Sequence, residues 1–423
     1  MKTFLKSIVV GILTLEARLF LARFKPFVIA VTGTVGKTSA KDAIAAALAP
    51  FASVRKSEKS YNSEIGIPLT ILGVCNAWSN PFQWAWILIK SLYIVIFNFQ
   101  FSIFKYPSFL VVEVGTDRPG DIRAIARWLK PAMVVVTKLS LAPVHIENFS
   151  SVGELIAEKG ALVSSLQKGG VLVLNGDDAD VRAFRVLAPC DVKVISFGFN
   201  EGADVRAGEA DSSVEMRGTV GAPPVYATLA ALAVVQALGF DRARASRALS
   251  ERALAPGRMR LLDGVNGARI IDDTYNSSPV AVAEALVALY EIKMEVTPST
   301  GARGKRIAAL GDMLELGSLS EAEHDKMVRD AVEKTDLVFL VGERARAAVA
   351  AAFASGFPTE KIRTFADSRA CGEALAQELR AGDVALIKGS QGIRMERAVE
   401  RALAPRASAK ELLVRQEEEW KKR

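Results

Sequence analysis

The sequence predicts an α/β protein: a central phosphate-loop domain with a mostly parallel sheet covered by helices, followed by a Rossmann-like α/β C-terminal domain. Three observations carry this expectation. Short β-branched runs alternate with longer helical patterns along most of the chain, as expected when crossover helices join parallel strands. The stretch 28–39, VIAVTGTVGKTS, passes from an apolar strand through a glycine turn directly into a helix. Half of the 423 residues are hydrophobic and 24% are charged, a globular balance with material for two or three domains.

Taken in order, the chain first presents a basic and apolar segment. Lys2 and Lys6 precede the apolar run 8–15, an arrangement shared with signal peptides, but Glu16 and Arg18 break the run. It is too short to span a bilayer and leads straight into the phosphate loop. Residues 1–27 therefore read as an N-terminal apolar helix, spanning 4–24, that packs on the protein or lies on a membrane.

In the loop that follows, Gly33 and Gly36 let the backbone approach a ligand closely. The first amides of the helix at 40–48 lack intrahelical partners and point, with the positive end of the dipole, at whatever occupies the turn. Lys37 supplies a mobile positive charge for outer phosphates, and the Thr38 hydroxyl suits Mg²⁺. Val31 stands where the full motif has its first glycine, so the loop is a shortened one.

The stretch 78–104 is apolar, with Lys90 the single formal charge between Trp84 and Phe104. Its length approaches that of a membrane span. However, Asn98, Gln100 and Ser102 alternate with Phe97, Phe99, Phe101 and Ile103, a strand-like period. It reads either as an amphipathic insertion (about 78–106) dipping into a membrane interface or as a buried hairpin.

Beyond it, strands are expected at 109–114, 132–137 and 171–175, with helices at 121–129 and 152–166. Residues 190–220 suggest a looser β-rich segment, and 227–238 an Ala-rich helix stopped by Gly239. A second α/β unit begins near Pro256-Gly257, with strands at 269–272, 306–310, 337–341 and 384–388 and a polar loop at 297–304. A charged helical tail, 410–423, reads as a solvated helix. The expected domains are thus 28–255 and 256–405, flanked by 1–27 and 406–423.

A net charge of +7 and a pI near 9.2 suit an anionic substrate or a membrane surface. The cations are dispersed rather than blocked with aromatics, and nucleic acid is not an expected partner. Cys75, Cys190 and Cys371 lie far apart, without the spacing of a zinc site or a disulfide framework, and fit a reducing compartment.

Ten segments in order then carry a resemblance: TGTVGKTS, YNSEIGIP (61–68), VEVGTDRPGDI (112–122), VHIENF (144–149), EKGAL (158–162), LNGDD (174–178), PGRMR (256–260), IDDTYNSSP (271–279), LGDMLELG (310–317) and KGSQGIRMER (388–397). Together they resemble the Mur ligase family, and most resemble its MurF type, over about residues 28–404. The resemblance implies an ATP-dependent carboxylate–amine ligase that acts through an acyl phosphate. Its acceptor would be a muramoyl-peptide precursor of peptidoglycan, its amine D-Ala-D-Ala or a similar one, and its cofactors ATP and Mg²⁺. Two anions must meet in such a reaction, so charge neutralisation is the main catalytic need.

The resemblance also implies roles by position. Gly33, Thr34, Val35, Gly36, Lys37, Thr38 and Ser39 would bind the ATP phosphates. Asn175, with Asp177 and Asp178 beside it, would handle nucleotide, and Arg258, Asp273, Tyr275 and Asn276 would contact phosphate and ribose. Glu113, at a strand end where open α/β sheets place ligands, would bind magnesium with Thr38, and His145 a second magnesium. Lys159 matches a lysine that family members carry as a carbamate, which turns a repelling ammonium into an anion. Lys37, Glu113, His145 and Lys159 form the expected catalytic set. Asn62, Lys388, Ser390 and Arg394 would face the substrates. His324 reads as a surface residue or a helper behind the site.

Three departures stand out. Little chain precedes residue 28, where the family has a UDP-sugar domain. Pro223, Pro224 and Ala227 stand where a His-Asn pair and an adenine-contacting Asn are expected, and Lys138 replaces an Asn. The expected setting is cytoplasmic, with possible peripheral membrane contact through 1–27 and 78–106. Alternatives are another Mur-type amide ligase, glutamate-adding or cyanophycin-like, and an ATP-binding membrane scaffold without turnover.

Overall fold

The structure, a computed structural model, describes residues 2–57, 61–77, 80–97, 106–140, 142–208, 218–294, 303–354, 356, 359–405, 407–417 and 420. It divides into two compact units. The first comprises 1–139, 148–215 and 226–252; the second comprises 140–147, 216–225 and 253–423.

The chain enters through helix α1 (Lys2–Phe24), strand β1 (Phe27–Thr32) and helix α2 (Lys37–Leu48). Next come β2 (Val54–Lys56), α3 (Gly66–Leu72), α4 (Pro81–Phe97), β3 (Phe109–Glu113), α5 (Asp121–Leu129) and β4 (Met133–Val136). They are followed by α6 (Val152–Ser164), β5 (Val171–Asn175), α7 (Ala179–Ala183), β6 (Lys193–Gly198), β7 (Val205–Arg206), α8 (Ala222–Ala237) and α9 (Arg242–Ser250).

The first sheet runs β2-β3-β1-β4-β5-β6-β7, with every pairing parallel. β1 lies between β3 and β4, with Val31 level with Glu113 and Thr32 with Val136. The register brings the loop after β1, the end of β3 and the end of β4 to one carboxyl edge, where such sheets bind ligands. One face of the sheet, including Val28, Ala30, Leu110 and Val112, is covered by Leu13, Ala17 and Phe20 of α1. Their i, i+4, i+7 spacing is the inward stripe of a helix.

In the second unit β8 (Arg260–Asp263), β9 (Arg269–Asp273), α10 (Pro279–Glu291), β10 (Arg306–Gly311), α11 (Ser320–Lys334), β11 (Leu337–Val341) and α12 (Glu343–Ala354) come first. β12 (Ile362–Phe365), α13 (Ser368–Glu378), β13 (Val384–Lys388), α14 (Glu396–Ala402) and α15 (Ala409–Leu412) complete it. The sheet order is β12-β11-β10-β13-β9-β8, parallel except for the β8–β9 edge pair. Ala308 and Leu310 of β10 point into one core and Ile307 and Ala309 into another. Burial on both faces explains why these strands read as continuous apolar runs.

Several expectations need correction. Residues 81–97 form a helix, not half of a hairpin: the Asn80 side chain accepts the Phe82 and Gln83 amides and caps its start. The strand-like alternation at 98–104 lies outside the described residues, as does most of the polar loop at 297–304. The helix expected at 227–238 starts at Ala222, because prolines are tolerated in a first helical turn. The tail, among its described residues, is not one continuous solvated helix. Among those residues Ala409–Leu412 and Trp420 are helical, residues 413–417 are not, and Leu413 and Arg415 are buried.

Candidate active site

The loop after β1 is held by the end of β4. The Thr34 and Val35 amides both donate to the Lys138 carbonyl, at 2.6 and 3.3 Å. The Thr137 hydroxyl donates to the carbonyls of Thr32 and Val35, at 3.2 and 2.6 Å. Gly33 is compulsory here. Its φ is 143°, and a Cβ would stand 2.1 Å from Thr137 Oγ1. Gly36, at φ 85°, caps α2 without a side chain, so the positive pole of the helix faces the loop. Two loop amides expected to face phosphate are thus committed to Lys138.

Lys37 curls over this loop, its Nζ donating to the carbonyls of Gly33 and Thr34 at 2.9 and 3.2 Å. One residue on, the Thr38 hydroxyl donates to Glu113 Oε2 at 2.9 Å. The Glu113 side chain is buried at the end of β3. Ser39 follows in the first turn of α2. Asn62 lies beside this strand end: its carbonyl accepts the Gly115 amide, and its side chain fills the space a Cβ at Gly115 would need.

Lys159, on α6, reaches the same loop and donates to the Gly33 carbonyl at 3.2 Å. Burial, with the Lys37 charge beside it, pushes its amine down to about 7. Its neighbour Glu158 is held by the Arg123 backbone amide and guanidinium.

A hydroxyl touching a carboxylate oxygen is the kind of hard donor pair Mg²⁺ takes together with phosphate oxygens and water. The Thr34 hydroxyl oxygen, buried without a protein partner, is a further oxygen in the same loop. No group of three or more His, Cys, Asp or Glu among the described residues could hold a metal unaided. Thr38 and Glu113 therefore fit an ion that shares its coordination with a substrate phosphate.

Asn175, Asp177 and Asp178 brace the neighbouring strand end. Asn175 accepts the Asp177 amide. Asp177 accepts the Phe199 and Asn200 amides and the Tyr226 hydroxyl. Asp178 caps α7 and accepts the Leu139 amide.

In the second unit the Arg258 guanidinium stacks 3.9 Å above the Tyr275 ring. Lys388 is buried and donates to Asp273 Oδ2 at 2.5 Å and to the Asn276 carbonyl at 3.0 Å. These partners face one another because Lys388 and Asp273 are level in the β13–β9 ladder. Asp272, buried among three donors, is pushed up to about 6 by desolvation. Ser390 accepts the Leu314 amide, and the Gln391 amide donates to the Asn276 side chain. Arg394, in a left-handed conformation, is tied to Glu396 and to the Trp420 carbonyl. His145 pairs through Nδ1 with Glu315 Oε2 at 2.7 Å.

Of the two readings of His324, surface residue or helper behind the site, burial overturns the first. Its ring accepts the Met313 amide at Nε2 and donates from Nδ1 to the Ser320 carbonyl.

The profile of the Mur ligase middle domain matches residues 97–222, and that of the Mur ligase, glutamate ligase domain matches 257–391. Together they cover more than half of the sequence. The chain belongs to the Mur ligase family. It is 26% identical over 395 residues to a UDP-N-acetylmuramoyl-tripeptide–D-alanyl-D-alanine ligase of Bacillus subtilis, covering 90% of this chain and 77% of that one. To the Mycobacterium tuberculosis H37Rv protein of the same name it is 29% identical over 395 residues, with 86% and 70% covered. The solved MurF ligase of Thermotoga maritima in complex with ADP superposes with a TM-score of 0.72 at 25% identity, over 93% of this chain and 83% of that one.

Sequence reasoning about this Mur ligase missed the clasp on the loop. Thr137 ends an unremarkable apolar strand, and the Lys138 contact is made by a backbone carbonyl, so neither carries a side-chain signal. It also missed Lys41. This lysine is fully buried on α2 and donates to the Ser57 carbonyl, its charge disfavoured by desolvation. Its inward position in the helical period was the available clue.

Proposed function

We propose that this Mur ligase joins a muramoyl-peptide carboxylate to the amine of D-Ala-D-Ala, or a similar amine, at the expense of ATP. The observation that carries this reading is the 2.9 Å contact between Thr38 and Glu113 at the mouth of the glycine loop. It is supported by the names of the relatives and by the ADP in the solved Thermotoga maritima neighbour.

The acceptor carboxylate attacks the γ-phosphorus of ATP, and ADP leaves. The amine then adds to the acyl phosphate carbonyl, loses a proton and expels phosphate. Lys37 offers its ammonium to the outer phosphates, helped by the α2 dipole. Thr38 and Glu113, with His145 at a second position, would hold Mg²⁺, which when bound neutralises phosphate charge. Lys159, at about 7, keeps a large neutral fraction near neutral pH. A neutral amine adds CO₂ and releases a proton, giving a carbamate anion beside the loop. By their motifs, Asn175 and, in the second unit, Arg258, Asp273, Tyr275 and Asn276 would serve the nucleotide, and Asn62, Lys388, Ser390 and Arg394 would each contact the other substrates. The use of ATP sets the reaction in the cytoplasm.

ADP release with UDP-muramoyl-tripeptide and a panel of amines tests this. D-Ala-D-Ala should give the fastest turnover, and Lys37→Ala and Glu113→Ala should each lower kcat by about 10²–10³-fold. Wild type, but not Lys159→Ala, should take up a ¹³C-carbamate signal from labelled bicarbonate. Turnover that survives both loop substitutions would overturn the site assignment, and preference for an amino acid such as glutamate would reassign the amine.

A further inference from the structure

Helices α1 and α4 pack side by side in the first unit. The Ser91 hydroxyl donates to Glu16 at 2.5 Å, and Arg23 donates to the Val95 and Ile96 carbonyls at 2.7 and 3.1 Å. Their inward residues Leu13, Ala17, Phe20 and Val95 are buried in the common core. A surface helix ordinarily turns polar residues outward. These two are apolar on much of their outer sides as well.

On α1, Ile8, Ile12, Leu15 and Leu19 recur at helical spacing and are 38–56% exposed. On α4, Phe82, Trp86, Ile89, Tyr93 and Ile96 do the same and are 47–85% exposed. A doubled stripe of exposed large hydrophobic side chains is the kind of surface that marks an interaction site. The exposed charged residues with described side chains on both helices, Lys6, Arg18, Arg23 and Lys90, are all cations; Lys6 pairs with Glu64. The single carboxylate on either helix, Glu16, is turned inward onto Ser91. No helix among the described residues is long and apolar enough to cross a membrane.

We propose that the joint outer face of α1 and α4 docks this protein on an anionic bilayer surface. Its apolar side chains would enter the boundary between headgroups and acyl chains. Trp86 and Tyr93 are the amphipathic rings favoured at that depth, and Arg18 and Lys90 meet lipid phosphates. Charge selects this occupant over a second copy. A two-fold self-contact would set a face whose charges are all positive against itself. The inference is independent of the ligase reading, since it uses none of the loop residues.

Flotation of the full-length protein with vesicles decides it. With phosphatidylglycerol–phosphatidylcholine vesicles most of the protein should rise, with less rising at high salt or with phosphatidylcholine alone. Leu15→Glu with Trp86→Glu, both at exposed positions, should cut the floated fraction at least tenfold without changing the melting temperature. Arg18→Glu with Lys90→Glu should abolish the preference for anionic vesicles. Independently of any variant, brominated lipid should quench wild-type tryptophan fluorescence. Protein that stays at the bottom with every vesicle, a double-glutamate variant that floats like wild type, or a dimer dissociated by Trp86→Glu in place of vesicle binding would each overturn the proposal.

Discussion

Gly33 carries the tightest constraint in the phosphate loop. It combines a positive φ with a contact so close that a Cβ would stand only 2.1 Å from Thr137 Oγ1. That hydroxyl already ties Thr32 to Val35, so it cannot move without opening the loop. Gly33→Ala should cost about 1–3 kcal/mol from backbone strain alone. Nucleotide affinity should fall at least tenfold, as read by titration with a fluorescent ATP analogue; unchanged affinity would mean that the clasp does not shape the loop. At this scale the sequence disclosed side chains and hid backbone contacts. Lys37, Thr38 and Glu113 stood out as residue types at telling positions. The carbonyl of Lys138 did not, because every residue has a carbonyl.

Among elements, the tail shows how a charged sequence can mislead. Residues 410–423 read as solvated because lysines, arginines and glutamates dominate them. Arg415 is nonetheless buried, donating to Glu396 at 3.0 Å, to the Thr274 carbonyl at 3.1 Å and to the Tyr275 carbonyl. Arg394 reaches the same Glu396 and the Trp420 carbonyl, so the tail fastens the loop after β9 to α14. Arg415→Ala should destabilise the second unit by about 3 kcal/mol, because Glu396 stays buried with half of its partners. Urea unfolding reads this directly, and a loss below about 1 kcal/mol would show the tail to be a loose cover. The elements whose pattern is set by burial on a sheet were legible in advance, with 337–341 and 384–388 recovered to the residue. The elements whose role depends on a distant partner were not.

At the scale of the whole molecule, the second unit holds two buried groups that make stability change with pH in opposite directions. His324 is held neutral in the second unit, and burial lowers its pKa below the ordinary 6.5. On acidification below 6.5 the unfolded chain takes up its proton first. The stabilisation is therefore full above about pH 6.5 and lost as pH falls through the folded value. Asp272, raised to about 6, acts oppositely: its contribution is present below 3.8 and lost as pH rises through 6. A comparison of His324→Gln with wild type at each pH isolates the histidine. The stability gap between them should narrow between pH 7.5 and 5; a constant gap would show that His324 does not titrate there.

The sequence by itself determined what depends on local pattern. A run apolar at every position makes a strand buried on both faces, and a glycine turn before a helix leaves the positive pole of that helix facing the loop. Only the tertiary structure decided what depends on residues far apart in the chain. It set Glu113 beside Thr38, gave segment 140–147 to the second unit, buried Arg415, and left apolar side chains of α1 and α4 exposed. The reason is physical. Hydrogen-bond and burial periodicities act over a few residues and are written in neighbouring letters. The partner of a buried charge, or the cover of an apolar face, is fixed by packing that no stretch of neighbouring letters records.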